Sequence, residues 1–203
     1  MSRLRIACLA WGSLLWDPRT LPRTGDFRID GPLIPIEFSR VSLDGRVTLI
    51  IDSKARELQT YWVRLDAGSM EGATRALGIR EKIAPDMWSR WVGAQAAHDR
   101  TLDSGEADSA TRASVSAWLE EQALDAVVWT ALPPRGPAGE DARPNFEQLL
   151  EHLESLEGEA RTRAEEYIRR TPSRVRTEHR RRFEEILGWA PRPDDQRAVP
   201  GRN

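Results

Sequence analysis

Two alternating apolar runs separated by Asp44-Gly45 constrain this chain more than any other feature. Ile34, Ile36 and Phe38 alternate with Pro35, Glu37 and Ser39, and Val47-Thr48-Leu49-Ile50-Ile51 follows the turn. An Asp-Gly pair between such runs is the strongest short-range hairpin signal, because tight reversals demand residues that tolerate positive φ. These runs read as strands at 33–43 and 46–52. Further strands read at 4–11, an apolar run, at 58–65, rich in aromatic and β-branched residues, and at 125–132.

Between and after the strands the period changes. Met70, Ala73, Ala76 and Leu77 recur at helical spacing, with Asp66 or Ser69 available as cap. Val115, Trp118 and Leu119 make one stripe of a helix over 111–124. A Pro/Gly-rich linker spans 133–144. Beyond it Phe146, Leu149, Leu150, Leu153 and Leu156 follow a strong amphipathic pattern. A polar helix over 159–170 breaks at Thr171-Pro172, and a last helix carries Val175, His179, Phe183, Ile186 and Leu187 before Gly188. The pattern predicts an α+β protein. Its expected units are a mixed domain at 1–135, a helical annex at 144–188 packed on it, and a Pro-containing disordered tail at 189–203.

Composition narrows the function. With 30 basic and 32 acidic residues the net charge is -2, which argues against a dominant nucleic-acid or anionic-membrane partner. Only Lys54 and Lys82 are lysines; the other basic residues are Arg. The Arg cluster from Arg169 to Arg182 is interleaved with Glu165, Glu166, Glu178, Glu184 and Glu185. It reads as intrahelical ion pairs on a solvated face. No segment approaches the ~20 apolar residues of a membrane span, and Leu4 to Leu9 is too short for a secretory leader. Cys8 is the single cysteine, so no internal disulfide is expected and a cytoplasmic setting follows. His98, His152 and His179 are far apart, so no metal site is expected.

Chemistry concentrates at the end of the first strand. Ala10-Trp11-Gly12-Ser13-Leu14-Leu15-Trp16-Asp17-Pro18 places a Gly-Ser turn between two tryptophans. A glycine there lets N–H groups turn outward and a ligand approach closely, and the same segment also reads as a strand-end turn under core tryptophans. Arg40 falls by alternation on the face of Ile36 and Phe38, where an Arg either snorkels to the rim or binds an anion. Glu37, on the opposite face, is the rival carboxylate to Glu81: it points into the pocket if the sheet interior lies on that face, and otherwise meets solvent or a cross-strand Arg, which is the expected placement. Glu71 starts its helix, where the dipole welcomes a carboxylate, whereas Glu81 ends it, where the dipole does not.

Trp11-Gly12-Ser13-Leu14-Leu15-Trp16-Asp17-Pro18 resembles the Tyr-Gly-Ser-Leu-x-Trp-x-Pro signature of the gamma-glutamylcyclotransferase-like superfamily, especially its ChaC-like branch. Phe38 to Ser42, Thr60 to Leu65, and Ala76-Leu77-Gly78-Ile79-Arg80-Glu81 resemble further family segments in the expected order. The similarity covers about residues 5 to 90 and, more weakly, the strand near Val127. The family's first Tyr is Trp11 here, and the chain from Pro144 onward differs from the family's usual ending. The resemblance implies a small, mainly antiparallel β-barrel ringed by helices. It implies Glu81 as catalytic acid and base, with Trp11, Gly12, Ser13 and Leu14 binding substrate beside Arg40. The implied reaction closes a gamma-glutamyl group on itself to 5-oxoproline, as a transferase or lyase requiring no metal, nucleotide or organic cofactor. The implied partner is a small gamma-glutamyl compound such as a glutathione-like peptide. A non-catalytic binding or interaction protein of the same fold is the alternative.

Overall fold

The structure is a computed structural model that describes residues 4–196. The strands are β1 (Ile6–Ala10), β2 (Arg23–Arg28), β3 (Leu33–Val41), β4 (Val47–Ile51), β5 (Glu57–Gln59), β6 (Tyr61–Leu65), β7 (Val92–Ala96) and β8 (Ala126–Thr130). The helices are α1 (Met70–Arg80), a single turn α2 (Trp88–Trp91), α3 (Ser109–Glu121), α4 (Phe146–Ser155), α5 (Gly158–Arg170) and α6 (Glu178–Leu187). The α+β expectation holds.

One sheet runs β2-β6-β1-β8-β7 and a second runs β4-β3-β5. Every residue of β1 is buried, which explains its unbroken apolar run. It pairs antiparallel with β6 and parallel with β8, so the sheet is mixed but mainly antiparallel. β5 and β6 are one extended stretch interrupted at Thr60, so a single run of chain pairs with β3 in one sheet and β1 in the other. Their ladders form two sheets, joined through this shared stretch.

The Asp-Gly hairpin forms as the pattern predicts. Gly45 takes φ +82, Gly45 N donates to Ser42 O at 3.0 Å, and Ser42 N donates to Arg46 O at 2.8 Å. A register shift lies between Phe38 and Arg40 on β3. Alternation counted from Ile36 and Phe38 therefore does not carry to Arg40: Val41 is buried and Arg40 is not. This corrects the facing expected for Arg40. Such bulges re-aim side chains.

Two strands escaped the pattern. β2 is a charged, mostly exposed edge, a composition that protects edges but hides the strand. β7 is Val-Gly-Ala-Gln-Ala, fully buried, and a side chain on Gly93 would collide with the Trp129 indole.

The annex shares the core of both sheets: Phe146, Leu149, Tyr167, Ile168 and Phe183 belong to the same buried cluster as β1. Glu37 fastens it. This carboxylate is 4% exposed, and its Oε2 accepts from the N–H groups of Glu178 at 3.1 Å and His179 at 3.3 Å. Glu37 thus meets neither solvent nor a cross-strand Arg; it caps the start of α6, where a negative charge suits the dipole. Arg180, 2% exposed, donates to the carbonyls of Thr171 and Val175 and fixes the preceding loop. The expected intrahelical ion pairs are present, as in Arg170–Glu166 and Arg181–Glu185, but the face is not solvated throughout: Arg169 and Arg180, paired with Glu165 and Glu184, are buried against the packed loops.

The expected tail does not begin at 189. Trp189 is 3% exposed, and Arg169 donates to the carbonyls of Gly188 and Ala190. Residues 197–203 of that tail lie outside the described residues. Among the described residues no helix is long and apolar enough to cross a membrane.

Candidate functional site

The turn after β1 is held from three directions. Trp11, 5% exposed, donates from Nε1 to Leu49 O at 3.3 Å. Leu15 N donates to Gly12 O at 3.0 Å and Asp17 N to Ser13 O at 2.8 Å, winding Ser13–Leu15 into a short 3-10 turn. Gly12 has φ -128, so positive φ is not why a glycine stands there. A Cβ at Gly12 would lie 2.4 Å from the Tyr167 hydroxyl. The close approach expected of a ligand is made, at this point, by a side chain of α5.

Tyr167 was not singled out from the sequence. It belongs to the annex, and one aromatic on a polar helix gives no hint of where that helix docks. Its ring meets Trp16 edge-on at 5.5 Å and Phe38 at 6.2 Å, and Leu49 N lies 3.5 Å from its hydroxyl. Burial pushes its pKa up to about 12; the bond from Leu49 and the charge of Arg46 oppose that rise, and Glu81 adds to it.

Glu81 sits at the end of α1. Ser69 caps the helix start, accepting from Gly72 N at 3.1 Å. At the other end Lys82 N donates to Ile79 O at 3.1 Å and Ile83 N to Gly78 O at 2.9 Å. That is a Schellman closure, with Lys82 at φ +57 where glycine is usual. Glu71, in the exposed first turn of α1, does not line the cavity described below.

Arg80 joins the two segments. It is 3% exposed, and its Nη1 lies 2.6 Å from Glu81 Oε1. The same guanidinium donates to Ser13 Oγ at 3.3 Å and to Asp17 O at 3.2 Å. Arg19 in turn donates to Arg80 O at 3.2 Å. A buried Arg with these partners offsets the charge that Glu81 brings to a helix C-terminus and ties the Gly-Ser turn to α1. Glu81 is therefore not an isolated carboxylate in an apolar pocket. Its Oε1 faces Arg80, and no donor reaches Oε2 among the described residues. The Cys8 thiol, buried beneath, is pushed up by burial and by the Glu81 charge, with Arg80 opposing, and so stays protonated.

These parts surround one cavity of about 630 Å³. Trp11, Gly12, Ser13, Leu14, Arg40 and Glu81 all line it, although they come from three separate stretches of sequence. Glu37 does not. Residues not foreseen also line it: Arg46, Asp44, Arg80, Trp91 and Tyr167. Asp44 and Arg46 were visible only as hairpin-turn residues; here Arg46 Nε lies 2.9 Å from Asp44 Oδ2 at the wall. Arg40 donates to Pro133 O at 2.6 Å. Among the described residues no cluster of three or more His, Cys, Asp or Glu side chains is arranged to hold a metal.

No family model, curated protein or solved structure matches the chain.

Proposed function

We propose that this cavity binds a gamma-glutamyl peptide or amine and converts it to 5-oxoproline and a free amine. The observation that carries the reading is convergence. The Gly12-Ser13 turn and Glu81 share one cavity, and a buried Arg80 bridges them.

In this reaction the α-amine nitrogen attacks the γ-carbonyl carbon of the same residue. A C–N bond closes the five-membered lactam as the bond to the leaving nitrogen breaks. One proton leaves the attacking amine and one reaches the departing amine, so no co-reactant is consumed. Glu81, through its unpartnered Oε2, takes the first proton and returns it. N–H groups of Gly12 to Leu14 and the Ser13 hydroxyl meet the α-carboxylate or the developing oxyanion. Arg80 keeps the carboxylate and the turn in fixed relation. The cavity folds the substrate into its attack geometry, the main source of rate in an intramolecular step.

The fold reading goes with it. We take the two sheets, linked by the continuous β5–β6 stretch, as a gamma-glutamylcyclotransferase-like barrel, with α4 to α6 as an added helical wall. The lone buried Cys8 suits a reducing, cytoplasmic setting. A second reading, a binding protein without turnover, draws on the Arg80–Glu81 ion pair, which a purely structural clamp would also show. Purified protein with a panel of gamma-glutamyl amines separates the two. The first reading expects 5-oxoproline release; saturable binding without release supports the second.

A further inference from the structure

The Tyr167 hydroxyl contributes little to the packing around it. The ring makes the edge-on contacts with Trp16 at 5.5 Å and Phe38 at 6.2 Å, and a phenylalanine would make the same ones. The oxygen adds one long bond, from Leu49 N at 3.5 Å. In return it forbids a side chain at Gly12, whose Cβ would collide with it. Tyr167 is 6% exposed, and among the described residues no protein group accepts the phenol proton. A buried donor without an acceptor is destabilising. The hydroxyl therefore answers to something besides packing.

The position of the hydroxyl identifies its partner. Tyr167 lines the same cavity as Gly12, Ser13 and Glu81. Leu49 holds two aromatics of that wall in opposite senses. Its carbonyl accepts from Trp11 Nε1 at 3.3 Å, and its N–H donates to the Tyr167 oxygen. The Trp11 donor is thus spent, and the Tyr167 donor is not. Arg46, whose guanidinium carbon lies 5.4 Å from the ring centre, acts electrostatically on the phenol, as do Arg80 and Glu81. Burial keeps the phenol protonated through neutral pH. A neutral, fixed donor is best matched to charge that appears only during a reaction, because it is already oriented when that charge develops. A permanent carboxylate is better met by the cations of the wall.

We propose that Tyr167 is a catalytic residue, whose hydroxyl donates to the γ-carbonyl oxygen of the bound substrate as that oxygen becomes negative. Glu81 then carries the proton, and Tyr167 joins the N–H groups of the Gly12–Leu14 turn at the oxyanion. The helical annex becomes part of the active site, because α5 brings the donor and the Glu37 cap on α6 holds the annex to β3. The inference rests on the cyclotransfer reading above.

Tyr167→Phe keeps the ring and removes only the hydroxyl. With the most rapidly cyclised member of the gamma-glutamyl amine panel, kcat for 5-oxoproline release should fall by about 10²–10³-fold, the loss typical of one oxyanion donor, while KM changes by no more than about 3-fold. A hydroxyl that serves packing alone leaves kcat in place. An unchanged kcat, or a loss carried by KM alone, overturns the proposal. A second measurement uses the wild-type chain. It holds two tyrosines, Tyr61 and Tyr167, and Tyr61 does not line the cavity. Labelling with carbon-13 at the tyrosine ζ position therefore gives two signals, assigned through Tyr61→Phe or Tyr167→Phe. Saturating 5-oxoproline, whose lactam oxygen is the former γ-carbonyl oxygen, should move the Tyr167 signal and leave that of Tyr61 in place; no movement overturns the contact. If the wild-type chain releases no 5-oxoproline from any member of the panel, cyclotransfer fails and takes the oxyanion role with it. An active wild type with an equally active Tyr167→Phe defeats the Tyr167 assignment alone.

Discussion

Replacing Gly12 with alanine tests why a glycine follows the first strand. The added Cβ would stand 2.4 Å from the Tyr167 hydroxyl oxygen and 3.4 Å from its Cζ. The first distance is a clash; the second is ordinary contact. Backbone strain does not enter, because φ is -128. Overpacking of this kind costs about 1–3 kcal/mol. Tyr167→Phe alone removes the clashing atom and only one long hydrogen bond, from Leu49 N at 3.5 Å, so it should cost about 1 kcal/mol or less. The double variant Gly12→Ala/Tyr167→Phe should then be about as stable as Tyr167→Phe, giving a favourable coupling equal to the Gly12→Ala cost, about 1–3 kcal/mol. Urea melts at unchanged m-value would read this directly. Strict additivity, or a neutral Gly12→Ala, would refute the docking of α5 against the turn.

Glu37→Gln should destabilise by about 1–3 kcal/mol in the same melts, because it removes a buried negative charge from the start of α6; unchanged stability would deny that anchor. Lys82→Gly should stabilise by about 0.5–1 kcal/mol by relieving the left-handed conformation at the α1 terminus, and a loss of stability would contradict the Schellman closure. Alkaline stability should depend on Tyr167. The unfolded phenol loses its proton near 10.0 and the folded one near about 12, so stability is full below pH 10 and falls as pH rises across that window. The fall should total roughly 3 kcal/mol, with Tyr61 shifting in the same direction, and Tyr167→Phe should flatten it in pH-dependent denaturation.

The sequence was readable where a local signal decides the outcome. Asp44-Gly45 specified the β3–β4 hairpin because positive φ at Gly45 is a one-residue requirement. Ser69 capped α1, and the Phe146-to-Leu153 spacing wound α4, for equally local reasons. Arg40 defeated the same reasoning: one register shift on β3 breaks the two-residue period, and nothing in the local residue types announces it. Glu37 looked like a solvent-facing strand residue because its partner, the start of α6, lies about 140 positions away. β2 was hidden by the charges that protect its edge. At the site, Gly12, Ser13 and Glu81 were found as motif residues, whereas Tyr167 arrives through docking of the annex, and Arg80 was noticed only as Glu81's neighbour.

Glu81→Gln is the most direct measurement of the central claim. It keeps shape and one acceptor for Arg80 but removes the group that titrates. Release of 5-oxoproline from a gamma-glutamyl substrate should fall by about 10²–10⁴-fold in kcat, with substrate affinity little changed. Thermal melts of the same variant check that it folds. A folded Glu81→Gln protein that releases 5-oxoproline at the wild-type rate would contradict the assignment of Glu81 as proton carrier.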